Sequence, residues 1–326
     1  MDRMPTSGRD GMSVVIPTHN RQDLFDITLA AVLDQRGVDF EVIVVDDGSD
    51  PPVSIPADAR VRVIRNESPL GVAATRNRGI AAATRRWVAF TDDDDIWAPD
   101  KLLAQWHRLV ESDGALWSSC GAVQIDDDLA IFESNQPPLG REVGDRLLVS
   151  NPIPGGASGV VVDTELVRRV GAFDESLSVC ADYDLWIRLA LAAPHAPVNR
   201  PLVAYRVHDG GMSRSLENIR AELGIIEAKY AAERASRDVV VADAINLWIG
   251  DRHQRSGRRI AAARAFLRSS RTVGRPRSVG RALEAMVWPS AFRHRDERRR
   301  KAVPDAWVAE AEQWLAPIRD RVRCGA

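Results

Sequence analysis

The chain has 326 residues, with 44 Lys or Arg against 46 Asp or Glu and 45% apolar side chains, so its net charge of −2 gives no case for nucleic-acid binding and its length fits about two domains with real cores. Three cysteines, Cys120, Cys180 and Cys324, are too few and too far apart for a disulfide frame and suit a reducing compartment. No apolar run nears the roughly 18 residues of a membrane span and the first residues lack an apolar signal segment, which leads to the expectation of a soluble cytoplasmic protein.

Residues 1–11, rich in Gly, Ser, Asp and Arg, read as a frayed tail. Ser13-Val14-Val15-Ile16 reads as a strand stopped by Pro17, and residues 22–35 as a helix with Leu24, Ile27, Ala31 and Leu33 near helical spacing. A second strand, 40–45, ends in Asp46-Asp47-Gly48-Ser49. A third covers 61–64, an alanine-rich helix 72–84, and a fourth strand Trp87 to Phe90. A helix follows from about Pro99. Strand alternating with helix predicts an α/β fold with a mostly parallel sheet, whose ligands sit beyond the carboxyl ends of the strands. Pro17-Thr18-His19-Asn20, Asp46 to Asp50 and Asp92 to Asp95 all follow strand ends and should converge on one rim.

Asp92-Asp93-Asp94-Asp95 is the sharpest signal, because four adjacent carboxylates repel unless a cation arrives. Asp92 and Asp94, one residue apart at a strand end, can share a divalent ion, and all-oxygen ligation selects Mg2+ or Mn2+ over zinc. Asp126-Asp127-Asp128 is a similar run between two strand-like segments, where a hairpin turn accounts for it. In GVAATRNRGI, Arg76 sits on a helix and either faces solvent or a nucleotide. His19, His107, His195, His253 and His294 form no ligand spacing.

VVIPTHNR, VVDDGSD, GVAATRNRGI and FTDDDDIW, in this order, resemble the family 2 glycosyltransferases of the GT-A fold over residues 13–210. The resemblance implies a Rossmann-like, mostly parallel central sheet flanked by helices in a catalytic domain over 12–215. It also implies a nucleotide-sugar donor, UDP most often, and a saccharide or lipid-linked acceptor in polysaccharide or glycolipid synthesis. On that resemblance Asp94, with Asp92 nearby, holds Mg2+ or Mn2+, Asp93 contacts the ribose, and Asp47 with the Pro17-Thr18 turn holds the base. Arg76 faces the nucleotide. In SVCADYDLWIRLALA, Asp182 occupies the place of the catalytic base, with Asp184 as fallback and Arg188 as an ion-pair or phosphate partner. Asp182 could equally cap the helix it opens. Ala181 departs from the family pattern, which has a second carboxylate there. His208 in VAYRVHDGGMS would contact metal or diphosphate, and the loop NPIPGGASGVVV reads as mobile, near the acceptor. A single displacement with one base implies inversion at the anomeric carbon.

Residues 216–326 read as an all-helical domain, with Leu216, Ile219, Leu223, Ile226 and Tyr230 marking its first helix. Between Asp251 and Lys301 lie sixteen Lys or Arg against four Asp or Glu. That part either packs on the catalytic domain or offers a basic face to the inner membrane surface, helped by Trp288 and Trp307. Two other classes compete. A sugar-nucleotide-binding subunit without a base is favoured only by Ala181, and a nucleotidyltransferase would want a Gly-rich phosphate loop where Pro17-Thr18-His19-Asn20 stands.

Overall fold

A computed structural model describes residues 10–140, 143–207, 216–237, 244–255, 258–273, 276–287 and 304–324. The first part alternates β1 (Met12–Thr18), α1 (Gln22–Leu33), β2 (Phe40–Asp46), β3 (Val61–Arg65), α2 (Val72–Ala82) and β4 (Trp87–Phe90). There follow β5 (Ile96–Trp97), α3 (Lys101–Glu111), β6 (Trp117–Ile125), β7 (Ile131–Asn135), α4 (Val143–Val149), a 3-10 turn (Gly156–Gly159), β8 (Val160–Asp163), α5 (Thr164–Arg169), α6 (Ala181–Ala192) and β9 (Val198–Arg206).

The strands form one sheet in the order β3-β2-β1-β4-β8-β6-β9-β5, with β7 added on β6. The first four strands are parallel, β8 is antiparallel to both its neighbours, and β6 and β9 are parallel. Every residue of β1 is buried, as expected of a strand paired on both sides and covered on both faces. Phe25, Leu29 and Val32 of α1, spaced at about one helical turn, close over Met12, Val14 and Ile16. Each such side chain contributes about 1.5–3 kcal/mol by burial. On α2, Gly79 is required because any Cβ there would overlap Val15 of β1.

Pro17 does not stop β1. The strand runs to Thr18 against Asp46. The ladder with β4 ends at Val15 and Phe90, so the missing N–H breaks no bond on that side. The helix expected from Pro99 begins at Lys101; Gly11, expected in the frayed tail, is buried, and residues 1–9 of that expectation lie outside the described residues. The chain steps outward from β1 to β2 and β3, then returns past β1 to β4. That reversal opens a crevice between β1 and β4, where the loops after both strands meet. The Asp126 run is the expected hairpin turn, its Oδ1 accepting from the N–H of Asp128 and Ala130 at 3.1 and 2.9 Å.

The chain divides into two compact units, one comprising Met1–Val143, Pro152–Gly211 and Pro304–Ala326, the other Gly144–Asn151 and Met212–Val303. The second is helical, with α7 (Leu216–Lys229), α8 (Ala231–Ser236), α9 (Ala244–Arg255), α10 (Arg259–Val273) and α11 (Pro276–Val287). Ala262, Ala263, Phe266, Ala282 and Ala285 form a core there. The last helix, α12 (Asp305–Cys324), corrects the expectation that 216–326 is one domain. Trp307 lies on Gly121, and Ala311 and Leu315 join Ile96, Val123, Ile125 and Ala204 under the sheet. Arg200 clasps this helix, donating to Glu310 at 2.6 Å and to Asp100 at 2.7 Å. Periodicity marks such a helix but does not say which surface its apolar face covers. Among the described residues no helix is long and apolar enough to cross a membrane.

A Cβ at Gly121 would overlap the Trp307 ring and come 2.8 Å from the Arg200 carbonyl oxygen. Gly121→Ala is therefore expected to destabilise the protein by about 1–3 kcal/mol. Combined with Trp307→Ala it should cost less than the sum of the two single changes. Denaturant titration of the four proteins measures the coupling, and simple additivity would show that the helix does not rest on Gly121.

Candidate active site

The loops after β1, β2 and β4 meet as the strand order requires. Asn20, at a left-handed φ of 55°, ties the first two together: its N–H donates to Ser49 Oγ at 3.0 Å and its Oδ1 accepts from the Asp50 N–H at 2.7 Å. His19 Nδ1 lies 2.8 Å from the Asp47 carbonyl oxygen. Thr18 Oγ1 reaches across the crevice and donates to Asp93 Oδ2 at 2.9 Å.

The four aspartates alternate in direction. Asp93 and Asp95 turn inward and are buried, while the side chains of Asp92 and Asp94 keep 25% and 13% of their surface. The cations that face them are arginines from three elements. Arg21, which caps α1, bridges Asp93 Oδ1 at 3.2 Å and Asp94 Oδ2 at 3.0 Å. Arg76 of α2 pairs with Asp92. Arg206, ending β9, donates its backbone N–H to Asp95 Oδ1 at 3.0 Å and its Nε to the Asp94 carbonyl at 3.1 Å. The Ser158 hydroxyl accepts from the Asp92 N–H at 2.9 Å and donates to Asp95, and Thr28 Oγ1 donates to the Asp95 carbonyl at 2.8 Å. Burial and the adjacent Asp94 push Asp93 up to about 6, against Arg21 and Thr18. Burial, then Asp94 and Asp92, push Asp95 well above the usual carboxylate range.

Asp92 and Asp94 fit a hard divalent cation as oxygen donors one residue apart and are the accessible pair. Among the described residues no three His, Cys, Asp or Glu side chains stand together as a preformed cage. Such an ion would draw its other ligands from water and substrate oxygens, as Mg2+ commonly does. His208 lies outside the described residues.

Asp182 lies at the second position of α6, so it is not the helix cap; Cys180 holds that place. Its Oδ1 accepts from the Tyr183 N–H at 2.6 Å. Burial raises its carboxyl to about 6, opposed by Arg76 and the Tyr183 N–H and reinforced by Asp92. Arg76 and Asp92 thus act on Asp182 as well as on each other. Gly155 and Gly156 take φ of 67° and 52°, and a Cβ on Gly156 would lie 3.8 Å from both Asp182 Oδ2 and the Tyr205 ring. Glycine there leaves Asp182 Oδ2 room on that side. The Tyr205 phenol is pushed up by burial and by the surrounding aspartates, so it stays protonated.

The other expected residues have partners within the fold. Asp184, the fallback base, is wholly buried and bound by Arg188 through Nε at 2.9 Å and Nη2 at 2.6 Å, while Arg188 Nη1 also donates to the Val170 carbonyl at 2.7 Å. Arg188 is a structural partner. Asp47 accepts from Asn66 Nδ2 at 2.6 Å and from the N–H groups of Leu70 and Gly71 at 2.8 and 2.9 Å, pinning the loop before α2. Burial would raise it, and those bonds more than reverse the effect. Pro17 is a buried strand residue, not part of an open turn. Arg76 is buried, with its guanidinium carbon 5.2 Å from the Phe173 ring centroid. Asn77 fixes that phenylalanine, exchanging bonds with its N–H and carbonyl at 2.9 Å each. The loop expected to be mobile holds Ser158, which is wholly buried and bonded at both ends. Arg21, Thr28, Ser158 and Arg206 were not foreseen, although Arg21 closes VVIPTHNR and Arg206 ends an apolar strand.

The Glycosyl transferase family 2 model matches residues 13–157. TuaG of Bacillus subtilis, a glycosyltransferase assigned to teichuronic acid biosynthesis, is 37% identical over 215 residues, covering 64% of this chain and 83% of TuaG. WfaP of Escherichia coli, a UDP-Glc:alpha-D-GlcNAc-diphosphoundecaprenol beta-1,3-glucosyltransferase, is 28% identical over 210 residues, covering 62% of this chain and 79% of WfaP. Among solved structures, residues 1–349 of S. aureus TarS in complex with UDP-GlcNAc superpose with a TM-score of 0.54 at 17% identity, covering 97% of this chain and 92% of that one. The chain spans only 55% of the longer TarS chain. That likeness supports the GT-A-type α/β fold with further helices after the sheet. The motifs, the convergent strand ends and these matches agree: the chain belongs to glycosyl transferase family 2.

Proposed function

We propose that the protein transfers a sugar from a nucleotide diphosphate, UDP in first place, to an acceptor hydroxyl with inversion, in the synthesis of a cell-surface polysaccharide or glycolipid. The observation that carries the reading is Asp182, a carboxylate that burial raises to about 6 and that feels the Arg76–Asp92 pair formed between α2 and the tip of β4. A base needs a pKa near the working pH and a place within reach of the acceptor hydroxyl, on the face of C1 away from the leaving group. The names of WfaP and of the TarS complex support a UDP-sugar donor, and that of WfaP a lipid-diphosphate-linked acceptor.

In this reading the diphosphate lies over Asp92 and Asp94, which would hold Mg2+ or Mn2+, with His208 as a further candidate ligand. The ion, when bound, neutralises charge developing on the leaving diphosphate. Arg21 and Arg76 keep the acidic tip compensated, and Asp93, fixed by Thr18, is placed for the ribose. The loop pinned by Asp47 and the end of β1 at Thr18 border the base. Asp182 Oδ2, on the side left open by Gly156, takes the proton of the acceptor hydroxyl. The acceptor oxygen bonds to C1 as the C1–O bond to phosphate breaks, and the diphosphate leaves with the electron pair. Attack from the face opposite the leaving group inverts the anomeric carbon.

The alternative is a sugar-nucleotide-binding subunit without turnover, for which Ala181, in place of a second carboxylate, speaks. Asp182→Asn separates the two. It should lower kcat about 10²- to 10⁴-fold with nucleotide affinity kept; unchanged turnover removes Asp182 as base, and absent turnover in the parent protein favours the subunit reading. The pH profile has a definite sign. Protonated Asp182 accepts nothing, so kcat should fall as pH drops through about 6 and level off above it. Asp93 titrates in the same region, so the acid limb must vanish in the Asp182→Asn protein to be assigned to the base. A thermal-shift series with UDP-sugars should show stabilisation that needs Mn2+ or Mg2+ and that Asp94→Ala abolishes. Equal stabilisation in EDTA would dismiss the metal.

A further inference from the structure

The helical unit carries a surface that its own core leaves uncovered. While Ala282 and Ala285 of α11 face inward, Val279, Leu283, Met286 and Val287 are 42%, 61%, 49% and 80% exposed. At 100° per residue these four fall within about 100° of the helix circumference, so they form one stripe rather than scattered exposures. On α10, which packs against α11 through Phe266 and its alanines, Ile260 is 60% exposed and Arg259 and Arg264 are exposed beside it. The segment from Asp251 to Lys301 has sixteen Lys or Arg against four Asp or Glu.

Two occupants compete for such a face. A second copy would cover the apolar stripe but would set two strongly basic segments against each other. An anionic bilayer takes both components, apolar side chains entering the acyl boundary and arginines remaining among the head groups. The α11 helix has 12 residues, too few to span and enough to lie in the interface plane. We propose that Val279, Leu283, Met286 and Val287 of α11, together with the exposed Arg259 and Arg264 of α10, form a docking site for anionic lipid bilayers. Trp307, expected from the sequence to assist, is excluded because it is buried on Gly121 in the sheet-containing unit, and Trp288 lies outside the described residues. The site does not depend on the chemistry proposed above.

The test is co-sedimentation of the full chain with sucrose-loaded vesicles of phosphatidylcholine, alone or with a third of phosphatidylglycerol. Binding is expected only to the anionic vesicles and only at low salt. Leu283→Glu with Val287→Glu, and separately Arg259→Glu with Arg264→Glu, should each lower the partition coefficient at least about tenfold. These positions are exposed, so circular dichroism and Tm should match the parent. Leu283→Gln with Val287→Gln, which adds no charge, should act in the same direction and guards against a folding defect. Equal binding to both vesicle types, or a partition indifferent to all three pairs, overturns the proposal. So does a lipid-free dimer in sedimentation velocity that Leu283→Gln with Val287→Gln dissolves, which would assign the stripe to self-association.

Discussion

Four consecutive carboxylates at the end of one buried strand are the constraint to which the surrounding structure answers. Left alone, they would repel one another in a crevice of low dielectric, where an uncompensated buried charge costs several kcal/mol. The fold resolves this in two ways at once. Burial pushes the inward pair, Asp93 and Asp95, above the usual carboxylate range, and the Thr18 and Ser158 hydroxyls bond them. The outward pair meets guanidinium groups brought from α1 and α2. Removing one arginine would leave a charge exposed to its neighbours, so the acidic tip depends on the whole crevice being assembled.

The same arrangement ties the base to the acids. Arg76 is paired with Asp92, stacked on Phe173 and felt by Asp182. Asn77, the next residue on α2, holds Phe173 by its backbone, and that segment leads directly into α6. One turn of α2 therefore sets both the field at the strand tip and the approach to the helix that carries Asp182.

Much of this was legible in the sequence. Short apolar runs bounded by Asp, Gly and Ser marked the parallel strands, and their order was enough to bring Thr18, Asp47 and Asp93 to one edge. What remained hidden was partner choice over long separations. Nothing local in NPIPGGASGVVV says that Ser158 will be buried between two aspartates, and the glycines point the other way. Asp184 and Asp182 look alike in sequence. Only the fold shows that one is locked by Arg188 and the other opens toward Gly156. Pro17 read as a terminator because proline usually ends pairing, and it is tolerated here because the neighbouring ladder stops first.

Because α12 is bound to the sheet through Trp307 and the Arg200 clasp, the polypeptide leaves the first unit after Gly211 and rejoins it at Pro304. Residues 212–303 are thus a doubly anchored insert rather than a trailing appendage. Closing a flexible loop costs only about 0.6 kcal/mol more for each doubling of its length. An insert of this kind can be lengthened between its two fixed points at little entropic cost to its host, while α4, whose Leu148 carbonyl oxygen accepts from Arg234, keeps its partner. Variation in where such an enzyme works could therefore arise by growth of the insert, with the chemistry inherited unchanged.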